Sequence, residues 1–387
     1  MSKLLRKARV VQLERVLETA DVLINDGVIT AIGQPVRTEP ASIDEVVELE
    51  GHTLFPGFLD VHIHGAVGVD TLEATGDNLV SVSRFLASRG VTGWLPTFVP
   101  APVPQYCSSI DAISKVIVKQ EQSAQGARVL GVHYEGPFVN TNQCGALHTD
   151  YFRTYKNEAD LNDLPVLNDR KAVHMITVAP EVEGGVELIR ELVRRRWIVS
   201  LGHTRATVEL LDKALEAGAR HMTHFMNAMA PFHHRAPGPI AWGLANDQVG
   251  FDMIADGIHL DPFMLKLLVK LKGAAGISLI SDAIAAAGKG DGEYQIWGET
   301  IAVKDGRTSN QHGSIAGSVI SMLDAVMMMR KLKVSDVEIA KMASLNPARL
   351  LGLDAQYGSI EVGKAADLVA LDSHGNVKLT LVGGVAL

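Results

Sequence analysis

Two cysteines, Cys107 and Cys144, are all that a chain of 387 residues contains. One pair cannot build a disulfide framework at this size, so a reducing compartment is the expected setting. Aromatic residues are scarce as well, at 5%, which leaves aliphatic side chains to fill the interior. No apolar run is long enough to cross a bilayer. The segment Met1-Ser2-Lys3-Leu4-Leu5-Arg6-Lys7 has basic residues but lacks the uninterrupted apolar stretch of a secretory signal. The expectation is a cytoplasmic protein with no membrane partner. Basic residues are in deficit too, 36 Lys and Arg against 44 Asp and Glu, for a formal net charge of -8. That balance argues against a nucleic-acid partner, and an anionic ligand would need a local basic pocket because the global field repels it.

What the chain does have is apolar content, 47%, and 14 histidines. Its length suits a large α/β barrel plus a small second unit. From about residue 10 to 53 it reads as short strands with turns. Asn25-Asp26-Gly27 between the apolar runs 20–24 and 28–33 is a hairpin signal. The tail repeats this style in Ala366-Asp367-Leu368-Val369-Ala370-Leu371-Asp372 and in 377–382. Neither end could bury a core alone, so residues 1–54 and 355–387 are expected to combine as one discontinuous β-sandwich.

Between them, residues 55–354 alternate short apolar runs with helix-spaced patterns. Strands are expected at 57–64, 92–98, 129–135, 174–179, 198–203, 221–225, 253–259 and 277–282. Helical periodicity is visible in 78–88, 185–195 and 208–217. Eight βα units predict an α/β fold, a (β/α)8 TIM-like barrel, with its site at the C-terminal strand ends. The Gly-rich stretch 287–292 ahead of Tyr294-Gln295-Ile296-Trp297 reads as a loop into a hairpin.

The histidines and acids fall at those strand ends. The first strand closes on Asp60-Val61-His62-Ile63-His64, and two residues apart on a strand face the same side, so His62 and His64 can grip one ion. The third closes on His133-Tyr134-Glu135, the fifth and sixth on His203 and His224, the seventh on Asp256-Gly257-Ile258-His259, the eighth on Ser281-Asp282. A lone strand histidine is usually a hydrogen-bonded core residue. Six such groups on five strand ends are different, because burying each unpaired costs roughly 1–3 kcal/mol. Imidazole and carboxylate donors are those of a hydrolytic metal centre.

These residues carry a resemblance. Pro56-Gly57-Phe58-Leu59-Asp60-Val61-His62-Ile63-His64-Gly65, Glu135-Gly136-Pro137, Gly202-His203-Thr204, Thr223-His224-Phe225-Met226-Asn227-Ala228-Met229 and Ser281-Asp282-Ala283 resemble the N-acetylglucosamine-6-phosphate deacetylases of the amidohydrolase superfamily. Their relatives acting on the galactosamine epimer look equally similar. The resemblance implies a divalent metal, Zn2+ first and Fe2+ as an alternative, with Glu135, His203 and His224 as the principal ligands. His62 and His64 could hold a second ion bridged by Glu135, so one or two ions per subunit stay open. It further implies Asp282 as the catalytic carboxylate and His259 as the group on the acetamido oxygen. Substrate contacts carry over to Ala146, Asn227, Ala228, Arg235, Ile315, Ala316 and Gly317, with Arg235 on the phosphate, and the implied assembly is a homodimer.

The chemistry agrees from the residues alone. An amide needs a strong nucleophile and a stabilised oxyanion, and zinc can bring the pKa of water to about 7. Asp282 could carry the proton from water to the leaving amine. Two departures touch the substrate side. Cys144-Gly145-Ala146-Leu147-His148 stands where the family commonly has Lys-Gly-Ala-His, and Ala236 follows Arg235 where a glutamate is usual. Rival readings are a cyclic-amide hydrolase or a deaminase of the same superfamily, and a binding protein without catalysis. The first commonly bridges its metals through a modified lysine, where this chain offers Glu135.

Overall fold

The computed structural model describes residues 1–33 and 43–387. Its centre is eight short parallel strands: β1 (Phe58–Ile63), β2 (Val91–Phe98), β3 (Gly131–Glu135), β4 (Val173–Val178), β5 (Ile198–Leu201), β6 (His221–Met222), β7 (Gly250–Ile254) and β8 (Ile277–Ile280). Each pairs with the next in sequence order. The ring closes just past the ends of β8 and β1, where Asp282 N–H donates to His62 O at 2.9 Å and His64 N–H to Ala283 O at 2.8 Å. The (β/α)8 barrel is therefore formed. Every residue of β1, β2, β3 and β8 is buried, which is why these segments read as apolar runs rather than alternating ones.

Four strands stop earlier than their apolar runs suggest, β5 at Leu201, β6 at Met222, β7 at Ile254 and β8 at Ile280. Past three of these ends the chain turns left-handed, with φ of 48° at His203, 30° at His224 and 50° at Asp282. A strand cannot continue through that conformation. Past β7 the Asp256 carboxylate accepts the N–H groups of Ile258 and His259, both at 2.8 Å, and folds the segment into a turn.

Helices α1 (Gly76–Ser88), α2 (Val103–Gln122), α3 (Gly185–Arg194), α4 (Val208–Glu216), α5 (Gly238–Ala245), α6 (Pro262–Lys272) and α7 (Met322–Lys331) cover the barrel. The expected eight-fold alternation fails once. After β3, residues 136–172 make only short 3-10 turns, Thr141–Gln143, Thr149–Tyr151 and Glu158–Asp163. The segment is rich in Asn, Thr and Asp, whose side chains bond locally to backbone and compete with helix. Between β8 and α7 the expected hairpin is a three-stranded antiparallel sheet, Gly292–Ile296, Glu299–Lys304 and Arg307–Ser309.

The chain ends form one further sheet. Its strands are Ser2–Val11, Val16–Asn25, Val28–Gly33, Glu45–Glu48 and Thr53–Pro56 from the front, with Leu368–Leu371, Val377–Val382 and Val385–Ala386 from the back. Asp26 and Gly27 have φ of 47° and 79°, as the Asn-Asp-Gly turn between paired strands requires. The far strand returns to the tail through Ile29 N–H to Lys364 O and Ala366 N–H to Gly27 O. The sheet thus curls around its own core, which includes Leu5, Val22, Ile24, Leu54, Leu368 and Leu381. Leu54 packs in that core and Phe55 in the barrel core, so the division proposed at 54/55 runs through a single shared strand.

Candidate active site

Glu135 ends β3 and sits at the centre of four imidazoles. Its Oε1 lies 2.9 Å from Nε2 of both His203 and His224. On the other side Oε2 lies 3.2 Å from His64 Nε2, and Oε1 lies 3.6 Å from His62 Nε2. Asp282 Oδ1 approaches the same pair, 3.4 Å from His62 Nε2 and 3.3 Å from His64 Nε2. Two donor sets result, Glu135 with His203 and His224, and His62 with His64 and Asp282, the donor atoms of each within 4.8 Å of one another. All six residues are buried.

Whether a metal fits is decided by the nitrogens. His203 Nε2 and His224 Nε2 face each other at 3.1 Å, and His62 Nε2 and His64 Nε2 at 3.2 Å. Such a spacing is close to what two nitrogens on one ion subtend, each at roughly 2.0–2.1 Å. The electrostatics point the same way. Burial pushes Glu135 up, but the surrounding histidines, His62 foremost, hold its carboxyl well below the ordinary range. Burial also pushes His64 and His224 down, yet hydrogen bonds to Asp282 and Glu135 carry His64 up to about 10, and Glu135 carries His224 up to about 9. His62, dominated by burial, is held well below its usual value. The two buried carboxylates demand positive charge beside them, and a divalent cation supplies it without protonating the ligands. The donor set fits such an ion.

The left-handed ligands are pinned from outside. His203 Nδ1–H donates to Gln143 O at 2.7 Å. The turn after it is held by Glu181, which accepts Thr204 Oγ1–H and Arg205 N–H at 2.6 Å and Asn140 Nδ2–H at 2.8 Å. The backbone N–H of His224 bonds to Asp252, and Ser318 N–H donates to Asp282 O at 2.7 Å. His259 Nδ1–H donates to Asp256 Oδ2 at 2.6 Å, which leaves its Nε2 for the cavity. Trp297 sits edge-on to His64, ring centroids 5.2 Å apart, with Nε1–H on Asp70 Oδ2 at 2.8 Å. Its carbonyl accepts His148 Nε2–H at 2.8 Å, latching the 144–148 segment to the three-stranded sheet. Glu181, Gln143, Asp252 and Trp297 escaped the sequence reading. Their roles are contacts between distant segments, which leave no spacing signature.

A cavity of about 340 Å3 opens above the cluster. Of the sequence-predicted residues, His64, Glu135, Ala146, His203, His224, Asn227, Ala228, His259, Asp282, Ile315 and Gly317 line it. His62 lies beneath. Ala316 is fully buried behind the wall, its N–H on Thr308 Oγ1 at 3.2 Å. Arg235 is not brought to the wall either, for it is exposed on the segment that follows Asn227 and Ala228. Among the described residues, no Lys or Arg lines this cavity.

Residues 53–387 match the Amidohydrolase family. The chain belongs to it. This amidohydrolase is 36% identical to the N-acetylglucosamine-6-phosphate deacetylase of Bacillus subtilis (strain 168), over 99% of its own length and 96% of that protein's. It is also 36% identical to the N-acetylgalactosamine-6-phosphate deacetylase of Escherichia coli O157:H7, over 99% of each. Among solved structures, a mutant N-acetyl-D-glucosamine-6-phosphate deacetylase from Mycobacterium smegmatis, in complex with N-acetyl-D-glucosamine-6-phosphate, superposes with a TM-score of 0.89. That protein is 28% identical, and the match covers 100% of this chain and 99% of the other. The matched residues span the whole barrel and the later strands of the small sheet.

Proposed function

We propose that this amidohydrolase removes the acetyl group of N-acetylglucosamine 6-phosphate, giving acetate and glucosamine 6-phosphate in amino-sugar catabolism. The observation that carries the reading is Glu135 shared between the His203–His224 pair and the His62–His64–Asp282 group, on the floor of a substrate-sized cavity. The full-length likeness to proteins named for this reaction supports it. A second reading, the galactosamine epimer, rests on equal identity to a protein of that name.

Glu135, His203 and His224 would hold the principal ion, and His62, His64 and Asp282 a second. Imidazole and carboxylate donors suit Zn2+. The chemistry such an ion supplies when bound is polarisation of a carbonyl and a lowered pKa of water, roughly 7 for zinc. Asp282 takes the proton of the attacking water and returns it to the amine as the C–N bond breaks. The doubly protonated form of His259, its Nδ1–H committed to Asp256, would donate Nε2–H to the acetamido oxygen. Asn227, Ala228, Ala146 and the 315–317 backbone orient the sugar. With no Lys or Arg among the described lining residues, phosphate charge would be met outside the wall, where Arg235 is the candidate. A homodimer and a cytoplasmic location, both expected from the sequence, belong to the same proposal.

The test is acetate release from a panel of N-acetylated amino sugars, gluco and galacto, each with and without the 6-phosphate. Turnover of the gluco phosphate above all others is expected. Turnover of the galacto phosphate instead selects the second reading, and no acetate from any member refutes both.

A further inference from the structure

The barrel has a second cavity, of about 420 Å3, at the end where its strands begin. Ile198, His221 and Gly250, the first residues of β5, β6 and β7, line it. Trp197, Val199 and Leu350 make an apolar wall, and Arg220 and Arg349 stand beside it. Arg349 has only a loose partner, Asp354 at 3.7 Å, and Arg220 commits Nη1 to the carbonyls of Leu215 and Ala219.

The decisive group is His221. It is 3% exposed, and its Nε2 is buried with no hydrogen-bond partner among the described residues. The other ring nitrogen, Nδ1, is engaged by Ser200 Oγ at 3.1 Å, which fixes the ring in this orientation. Ser200 is the end of a hydroxyl chain inside the barrel: Thr223 Oγ1 lies 2.6 Å from it, Thr177 Oγ1 2.8 Å further on, and His133 Nε2 2.9 Å beyond that. Burial pushes His221 down to about 3, so the ring is neutral at ordinary pH and presents either a lone pair or an N–H. A buried polar atom left over in this way calls for an outside partner.

We propose that this lower cavity binds a small organic anion with an apolar body and a hydroxyl at its far end. The anionic group meets Arg349 and Arg220, the body packs on Trp197 and Leu350, and the hydroxyl reaches His221 Nε2. A hydroxyl both donates and accepts, so it satisfies either tautomer of the ring. The chemistry here is separate from that of the metal cluster, since the site has cations and an apolar wall but no carboxylate among its described lining residues.

The probe is 4-hydroxybenzoate, titrated calorimetrically into the metal-loaded enzyme. For so few atoms the expected Kd is on the order of millimolar. Benzoate lacks the hydroxyl and 4-hydroxybenzyl alcohol lacks the charge, and each should bind about tenfold or more weakly. Ala275 is exposed at the rim, so Ala275→Trp should block entry while acetate release is retained as proof of fold. Arg349→Gln should weaken 4-hydroxybenzoate without affecting 4-hydroxybenzyl alcohol. No binding up to roughly 10 mM, or binding that survives Ala275→Trp, overturns the site. Benzoate binding as well as 4-hydroxybenzoate overturns the role of His221, and equal binding of the alcohol overturns the anion.

Discussion

Glu181 touches no candidate ligand atom, yet removing it should cost metal affinity. Its carboxylate accepts three bonds, from Thr204, Arg205 and Asn140, and these hold the turn that keeps His203 left-handed. Glu181 is partly exposed, so each bond is placed below the range for charged acceptors, at about 1 kcal/mol, as for an ordinary hydrogen bond. Together they apply about 3 kcal/mol to a residue whose backbone conformation costs about 1–2 kcal/mol. In Glu181→Ala that restraint is gone, and the turn relaxes toward ordinary φ, swinging His203 Nε2 away from Glu135 Oε1. If half of the 3 kcal/mol falls on the bound state, zinc affinity drops about tenfold, and if nearly all of it does, about 100-fold. Chelator-competition titration of Zn2+ measures this directly, with the thermal midpoint of metal-free protein recorded alongside to separate affinity from general stability. Glu181→Gln, which keeps one acceptor oxygen, should fall between. A zinc affinity in Glu181→Ala indistinguishable from wild type refutes the reasoning, because the three bonds would then be decorative.

Chelation should abolish turnover and added divalent metal restore it, while Glu135→Gln should lose bound metal on elemental analysis, since one carboxylate serves both donor sets. Asp282→Asn should keep at least the principal ion and lose about 10²–10⁴-fold in kcat; near wild-type turnover would remove Asp282 from proton transfer. Arg235→Ala should raise KM for the 6-phosphate by roughly 10–150-fold and leave the unphosphorylated sugar unaffected. An equal effect on both sugars would take Arg235 off the phosphate. Cys144→Lys should sharpen the preference for phosphate if the 144–148 segment borders it, and an unchanged preference puts Cys144 out of the phosphate's reach.

The barrel was legible because its strands are buried on both faces and end in groups that a core would not tolerate unpaired. Glu135, His62 and His64 could be read from position alone. The strand ends at 201, 222, 254 and 280 could not: the left-handed turns at His203, His224 and Asp282 are held by Glu181, Asp252 and Ser318 from distant segments, and the apolar run 253–259 masked the local Asp256 turn. The missing third helix was hidden for a related reason, since Asn and Asp side chains captured backbone groups that a helix would have used. Ala316 shows the limit of carrying a contact over by motif: Ile315 and Gly317 reach the cavity, and the residue between them points away. The lower cavity left no trace in the sequence, where His221 is one more apolar-strand histidine.

The strand Thr53–Pro56 lies between Ser2–Val11 and Leu368–Leu371 and pairs with both. During synthesis the front strands therefore emerge more than three hundred residues ahead of the partner that completes their sheet. Until then they wait with an open edge, the kind of surface that recruits other chains. Contacts of such long sequence separation are slow to form, so assembly of this sheet is a late event for the nascent protein. Shortening the chain by its last two strands should thus reduce soluble yield far more than it disturbs the candidate metal ligands, which lie wholly within residues 62–282.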